Sequence, residues 1–425
     1  MPFTKRDIEE LSSNGSEPAW LRELRLEAWQ RYEATPMPDS SKDEDWRRTD
    51  ISKLDLDTFG PSRNGSGAAT LTIQPAEQGS STQADGAATS VEGAPPPGLP
   101  HKVVFCALDE AVQRCPDLVR PHLSTGTDKF SSLNAAQWSH GAFVYVPAGA
   151  QVETPLHAEY PEDADATFPR TVIILERGAC LTFVDHFAPQ GKGASASGRF
   201  SSAFTTISVA EGARLQYVSL QERGRRTWHF SRESASVARD AKVDFVLAAL
   251  GGSTCKSYVD AVLTGPGAEA NLVGLVLTDG DQHVDHQTLQ DHLAPHTTSN
   301  LLLKSAVKGH SQSIFAGLVH MPQEAQQSDA FQEARALLLS EHAKADAIPK
   351  LEIVANDVRC THAGAIGQVD AEQKFYLMSR GIPERETERL IVGGFFEPAL
   401  ERIPVASVRD NTRKALLRRL EALDG

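Results

Sequence analysis

Five short turns, each ending in alanine, recur along this 425-residue chain. PAGAQV, ERGACLTF, AEGARLQY, ARDAKVDF and GPGAEANL place the alanines at Ala150, Ala179, Ala213, Ala241 and Ala268, at intervals of 29, 34, 28 and 27 residues. Periods of this length mark stacked supersecondary units in which each rung buries the apolar face of the next. Between the turns, from about 140 to 350, the segments are short and rich in Val, Ile, Leu, Thr, Phe and Tyr, the composition of strands. A parallel β-helix satisfies both observations. An antiparallel sandwich or a cupin-like barrel also uses small-residue turns, and on the repeat alone it stays open.

The flanks read differently. In residues 1–60, Leu21, Leu24, Ala28, Trp29 and Tyr32 recur at three- and four-residue spacing, which places them on one helix face. Ser16 is the expected N-cap with Pro18 just inside, and Pro36 and Pro38 end the run. Residues 61–99 are rich in Gly, Ser, Ala, Pro and Gln, so they read as a loop or linker holding at most one short strand at Thr70 to Ile73. Residues 100–369 form the strand-rich core. Residues 370–425 are helical again: Asp370 with Gln373 resembles a capping box, Gly381 suits a left-handed C-terminal cap, and Pro383 opens the next helix. A final helix is expected from about Val405 to Leu423, with Leu416, Leu420 and Leu423 on one side and Arg409, Arg413, Lys414, Arg418 and Arg419 largely elsewhere. That basic face is either solvated or a partner-docking surface.

A formal net charge of -14 disfavours attraction to nucleic acid or anionic lipid. The start, MPFTKRDIEELSS, has no apolar signal region, and runs such as FVLAALGG are too short to cross a bilayer, so neither export nor membrane insertion is expected. Five cysteines without a C-x-x-C pair fit a reducing compartment better than a disulfide framework. G-x-x-x-x-G-K-[ST], G-x-S-x-G, H-E-x-x-H and G-x-G-x-x-G are all missing from the sequence, which argues against nucleotide hydrolysis by this chain and against the commonest enzyme classes.

Two clusters carry chemistry. His283, His286, His292 and His296, with His310 and His320 beyond, supply imidazoles, but on a strand His283 and His286 point to opposite faces. In DVRCTHAGAIGQ, Val358, Cys360 and His362 alternate and therefore share a side. A thiol and an imidazole side by side suit iron or zinc ligation, or a nucleophile and base; an inert Cys beside a hydrogen-bonded His is the structural alternative. Two ligands make half of a tetrahedral site.

Residues 296–396 carry a resemblance to a known family in several ordered blocks: GHSQSIFAGLV, LLLSEHAKADAIPKLEI, the Cys360-Thr361-His362 site, and FYLMSRGI followed by a helix. EDWRRTDISKLDL near the N-terminus is similar to the family's Trp-Arg-Thr entry motif. The chain resembles the SufD side of the SufB/SufD scaffold family, which serves iron–sulfur cluster assembly in the SufBCD system. The resemblance implies a mainly β fold, with a right-handed parallel β-helix core flanked by N- and C-terminal α-helical domains. It further implies a non-catalytic, cytoplasmic scaffold that pairs with SufB through the β-helix, docks the SufC ATPase on residues 370–425, binds no nucleotide itself, and can form a homodimer without SufB. His362 would ligate iron of a transient cluster shared with SufB, with Cys360 beside it as ligand, sulfur relay or packing residue. The wording Ala363-Gly364-Ala365-Ile366 departs from the usual Gly-Ala-Thr-Val type and implies a changed loop at a retained site. A SufB-like paralogue and a cupin-like metalloenzyme using the 283–296 histidines are the alternatives.

Overall fold

The computed structural model describes residues 3–14, 17–60, 69–73, 82–83, 99–189 and 198–422. Its centre is a parallel β-helix of two facing sheets. The first contains the parallel strands Leu156–Tyr160, Cys180–Phe187, Arg214–Gln221, Lys242–Ala249, Glu269–Thr278, Thr298–Val307, Asp329–Leu338 and Arg359–Gln368. The second contains His140–Val146, Pro169–Leu175, Arg199–Val209, Thr227–Val237, Thr254–Leu263, His283–His292, Gln312–Met321 and Lys344–Ile353. The chain alternates between the sheets, so about eight turns stack in parallel register, which excludes the sandwich and the cupin barrel.

The alanine repeat is the corner of each turn. Ala179, Ala213, Ala241 and Ala268 are at most 1% exposed, and each backbone carbonyl accepts from the next rung, as in Arg214 N to Ala179 O (2.8 Å) and Lys242 N to Ala213 O (2.9 Å). Immediately before these alanines, Gly149, Gly178, Gly212 and Gly267 take φ between +65° and +76°, a region with little penalty only for glycine. Asp240 fills the same position at φ +53°. Two further corners continue the ladder without alanine: Asp329 N donates to Thr297 O (2.9 Å) and Arg359 N to Ser328 O (3.0 Å). Their hydroxyls bond each other at 2.7 Å, which satisfies the polar atoms an alanine does not bring.

Helices cover the outer faces. Lys5–Asn14 (α1), Ala19–Ala34 (α2), Leu108–Arg114 (α3), Pro116–Val119 (α4) and Lys129–Gln137 (α5) share one core in which Leu21, Ala28 and Trp29 meet Phe130, Leu133 and outward-facing Val172, Phe200 and Phe230 of the second sheet. Three of these helices thus come from the stretch that the sequence assigns to the strand-rich core. Pro18 occupies the N-cap position of α2 and not its first turn, and Ser16 lies outside the described residues. The strand Thr70–Ile73 forms and pairs antiparallel with Leu156–Tyr160; most of 61–99 lies outside the described residues.

At the other end, Ala371–Ser379 (α6), Glu384–Leu400 (α7) and Ala406–Glu421 (α8) follow the β-helix. Val392, Phe396, Leu400, Leu416 and Leu420 pack on Val246, Val273, Leu275 and Leu302 of the first sheet's outer face. Leu423 lies outside the described residues. Among the described residues no helix is long and apolar enough to cross a membrane.

Candidate functional site

The β-helix ends abruptly, and that end holds the Cys-x-His segment. Asp370 stops the last strand by accepting from Glu372 N (2.8 Å) and Gln373 N (3.4 Å), which turns the chain into α6 before another rung can form. The strand Arg359–Gln368 therefore pairs only with Asp329–Leu338, and Lys344–Ile353 only with Gln312–Met321. Among the described residues, both strands present an unpaired row of backbone N–H and C=O groups.

Register fixes where the side chains point. Cys360 lies beside Ala330 and His362 beside Gln332, and both neighbours are buried in the solenoid interior. A Cβ on Gly364, two residues further, would meet Ala347 Cβ of the facing strand at 4.0 Å. Cys360, His362, Gly364 and Ile366 thus continue the inward row into a turn on which no further strand among the described residues stacks. The alternation read in the sequence holds: Val358 and Cys360 pack on Val319, Met321, Ala325, Ala330 and Ala355, while His362 is exposed.

The Cys360 thiol is half-buried, and burial, reinforced by the charge of Asp329, pushes its pKa up. It is a thiol at neutral pH and must release a proton on ligating a metal. The Asp329 carboxylate itself is paired to Arg359 at 3.4 Å. His362 is exposed and makes no hydrogen bond, ion pair or ring contact among the described residues, so its imidazole is available to an incoming group. One thiol and one imidazole about 7 Å apart along a strand cannot close a coordination sphere, and further ligands must come from another molecule. Around them stand Leu351, Ile353, Val354 and Ile366, each 38% exposed or more. An apolar rim beside unpaired strand edges is the surface of an interface. The motif alone did not disclose this rim; the apolar positions of LEIV and AGAIG were its only sequence signal.

The histidines at 283–296 do not converge. His283 faces outward to Thr49 Oγ1 at 3.0 Å, whereas His286 is fully buried inside, where burial lowers its pKa to about 4. His292 has both ring nitrogens occupied, by Thr297 Oγ1 and Ser299 Oγ at 2.8 Å each. His296 sits in a turn at φ +60°, His310 stacks on His342, and His320 bonds Asp291 at 2.7 Å. Among the described residues no three His, Cys, Asp or Glu side chains are placed to hold one metal ion.

A second uncovered surface lies on the C-terminal helices. Phe375 is 74% exposed, with Tyr376, Met378 and Leu390 also in solvent, and α6 buries no residue. The basic face of α8 turns partly inward instead: Arg413 pairs with Glu397 and Arg419 with Asp279. The apolar side of α6 is therefore the better docking surface than the basic face of the last helix.

Comparison with known proteins shows the family. Residues 158–395 match the SufBD core domain of the SUF system for iron–sulfur cluster assembly, and residues 88–158 match the SufBD protein N-terminal region. The iron–sulfur cluster assembly protein SufD of Bacillus subtilis is 29% identical over 432 residues, covering 97% of each chain. SufB of the same organism is 28% identical over 438 residues, covering 95% of this chain and 90% of SufB. An iron–sulfur cluster assembly SufBD family protein of Staphylococcus saprophyticus is 28% identical, with the same coverage as SufB.

Proposed function

Because the chain belongs to the SufB/SufD family of iron–sulfur cluster assembly scaffolds, we propose that it is the SufD-side subunit of a SufBCD complex, pairing with SufB and docking the SufC ATPase. The observation that carries this reading is the uncovered last turn, where an exposed imidazole and a thiol sit inside an apolar rim between two unpaired strand edges. A second β-helix adding its own strands there would satisfy the backbone groups, bury the rim and bring further ligands to His362 and Cys360. The equal span of this chain and SufD, 97% of each, and the Cys360-Thr361-His362 wording favour SufD over SufB.

In this reading the nascent iron–sulfur cluster is cargo. His362 supplies a neutral nitrogen ligand, Cys360 supplies a thiolate or only packs, and SufB groups complete the sphere. Shared, incomplete ligation keeps the cluster labile enough to be handed on, which a closed four-cysteine cage would not. The chain is a scaffold without catalysis of its own. ATP hydrolysis belongs to SufC, whose docking would cover Phe375, Tyr376 and Met378 on α6. In the absence of SufB the same edges accept a second copy of this chain. All five cysteines are free, which fits the reducing cytoplasm.

Co-expression with SufB and SufC tests the pairing. Leu351→Asp with Ile366→Asp places two charges in the rim and is expected to abolish co-purification of SufB while leaving SufC bound. SufB retention by that variant, with Phe375→Asp releasing SufC, would place the SufB contact elsewhere.

A further inference from the structure

The corner where α8 meets the β-helix concentrates positive charge on an otherwise acidic chain. A cavity of about 270 Å³ opens there, lined by Arg223 and Arg225 from one solenoid turn, by Leu250 and Gly251 from the next, and by Arg418 and Arg419 at the end of α8. Asp279 takes Arg225 Nη2 at 2.6 Å on one oxygen and Arg419 on the other. Glu222 receives Arg418 at only 3.5 Å and gives its second oxygen to His186 at 3.0 Å. Asp279 and Glu222, the carboxylates that pair directly with these guanidinium groups, are each already shared with a second partner, and the charges of Glu162 and Asp163 also act on Arg223.

Helix-end electrostatics explains only part of this. A cation in the last turn complements the negative helix terminus. Arg419 fills that role: 11% exposed, it donates through Nε to Leu250 O (2.7 Å) and through Nη2 to Gln282 Oε1 (2.6 Å). Arg225 comes from the solenoid and is 51% exposed, with a single Nη2 engaged, and Arg418 is 63% exposed on one long contact. Both side chains line the cavity, and among the described residues each makes a single hydrogen bond. Arg223 lies beneath, fully buried, adding a fixed charge to the floor. Planar guanidinium forks converging on one opening match oxyanions, which accept paired N–H bonds.

We propose that this corner binds a small oxyanion of the phosphate or sulfate type carrying at least two negative charges. Because Arg225 and Arg419 also clamp Asp279, an anion there would fasten α8 to the β-helix and stiffen the base on which α6 and α7 stand. The site is separate from the Cys360 and His362 end and does not rest on the partners proposed above.

Isothermal titration calorimetry of the full chain tests this with sodium sulfate, inorganic phosphate and inorganic pyrophosphate, each at ionic strength matched with sodium chloride. One saturable site per chain is expected. Arg225→Gln with Arg418→Gln, both at exposed side chains, should weaken it at least about tenfold, the loss of one or more charge-assisted hydrogen bonds. Arg335→Gln, an exposed arginine paired to Glu333 elsewhere on the surface, should leave it unchanged. Tighter pyrophosphate than phosphate identifies a linked diphosphate group as occupant; equal affinity for phosphate and sulfate identifies a single tetrahedral oxyanion. Heats that follow ionic strength alone, or equal affinity in the double variant with circular dichroism unchanged, would overturn the proposal.

Discussion

Asp285→Ala would cut the point that fastens the N-terminal segment to the β-helix. Asp285 Oδ2 accepts from Lys256 Nζ at 2.5 Å and from Thr49 Oγ1 at 2.6 Å, and Oδ1 accepts from Gln287 Nε2 at 2.8 Å. Lys256 also donates to Asp45 O (2.7 Å) and lies 4.9 Å from the Trp46 ring centroid. Thus the Trp46-Arg47-Arg48-Thr49 run is held by one ion pair whose members are 0% and 1% exposed. Burial already lowers the Lys256 pKa against the pull of Asp285. Removing the carboxylate leaves a dry ammonium with one backbone acceptor, a loss of about 3–5 kcal/mol. Lys256→Met with Asp285→Leu removes both charges and should restore most of it. Urea unfolding followed by tryptophan fluorescence reads this region, since Trp29, Trp46 and Trp138 belong to the N-terminal core. A midpoint for Asp285→Ala within about 0.5 kcal/mol of wild type, or a double variant less stable than the single one, would refute the reasoning.

Other expectations concern the interior and the C-terminal helices. Burial pushes Asp185 up to about 6, and burial together with the charge of Asp185 pushes Glu233 up to about 8. The unfolded chain releases these protons at lower pH than the folded one, so their stabilisation is complete below about pH 4 and is lost as pH rises through 6 to 8. Urea midpoints should therefore fall between pH 7 and 9, above the range in which buried His140, His229 and His286 titrate, and fall less in Glu233→Gln; equal slopes would contradict this. Phe396→Ala, at a side chain 0% exposed between α7 and the first sheet, should cost about 3–5 kcal/mol and expose the C-terminal helices to limited proteolysis. Ala213→Leu should overpack the corner ladder and cost about 1–3 kcal/mol in melting or urea experiments.

The β-helix was legible because its corners tolerate little besides a small residue after a left-handed one, and five such pairs stand in the sequence. Thr297 and Ser328 escaped that pattern because hydroxyls that bond each other substitute for alanine. Helices α3–α5 are not evident within the strand-rich stretch because what assigns them is tertiary packing: α5 lies against α2 and the Arg199–Val209 strand, and α3 against the His140–Val146 strand. Placement of His362 and Cys360 on one face followed from strand alternation alone. Their position at an open end did not, because it depends on the missing next rung and on the cap at Asp370. Histidines 283–296 stand as structural residues, the reading their opposite strand faces favour over a metal site, and the hydroxyl partners of His292 become its neighbours only through a turn.

The most direct test of the shared-scaffold account is the iron and acid-labile sulfide content of the anaerobically purified complex with SufB and SufC, for wild type and His362→Ala. The account predicts that cluster content falls sharply in the variant while the subunit ratio is unchanged, since His362 is exposed and makes no hydrogen bond or ion pair among the described residues. Full cluster content in an intact His362→Ala complex, or a stoichiometric divalent metal held by this chain alone without partners, would contradict it.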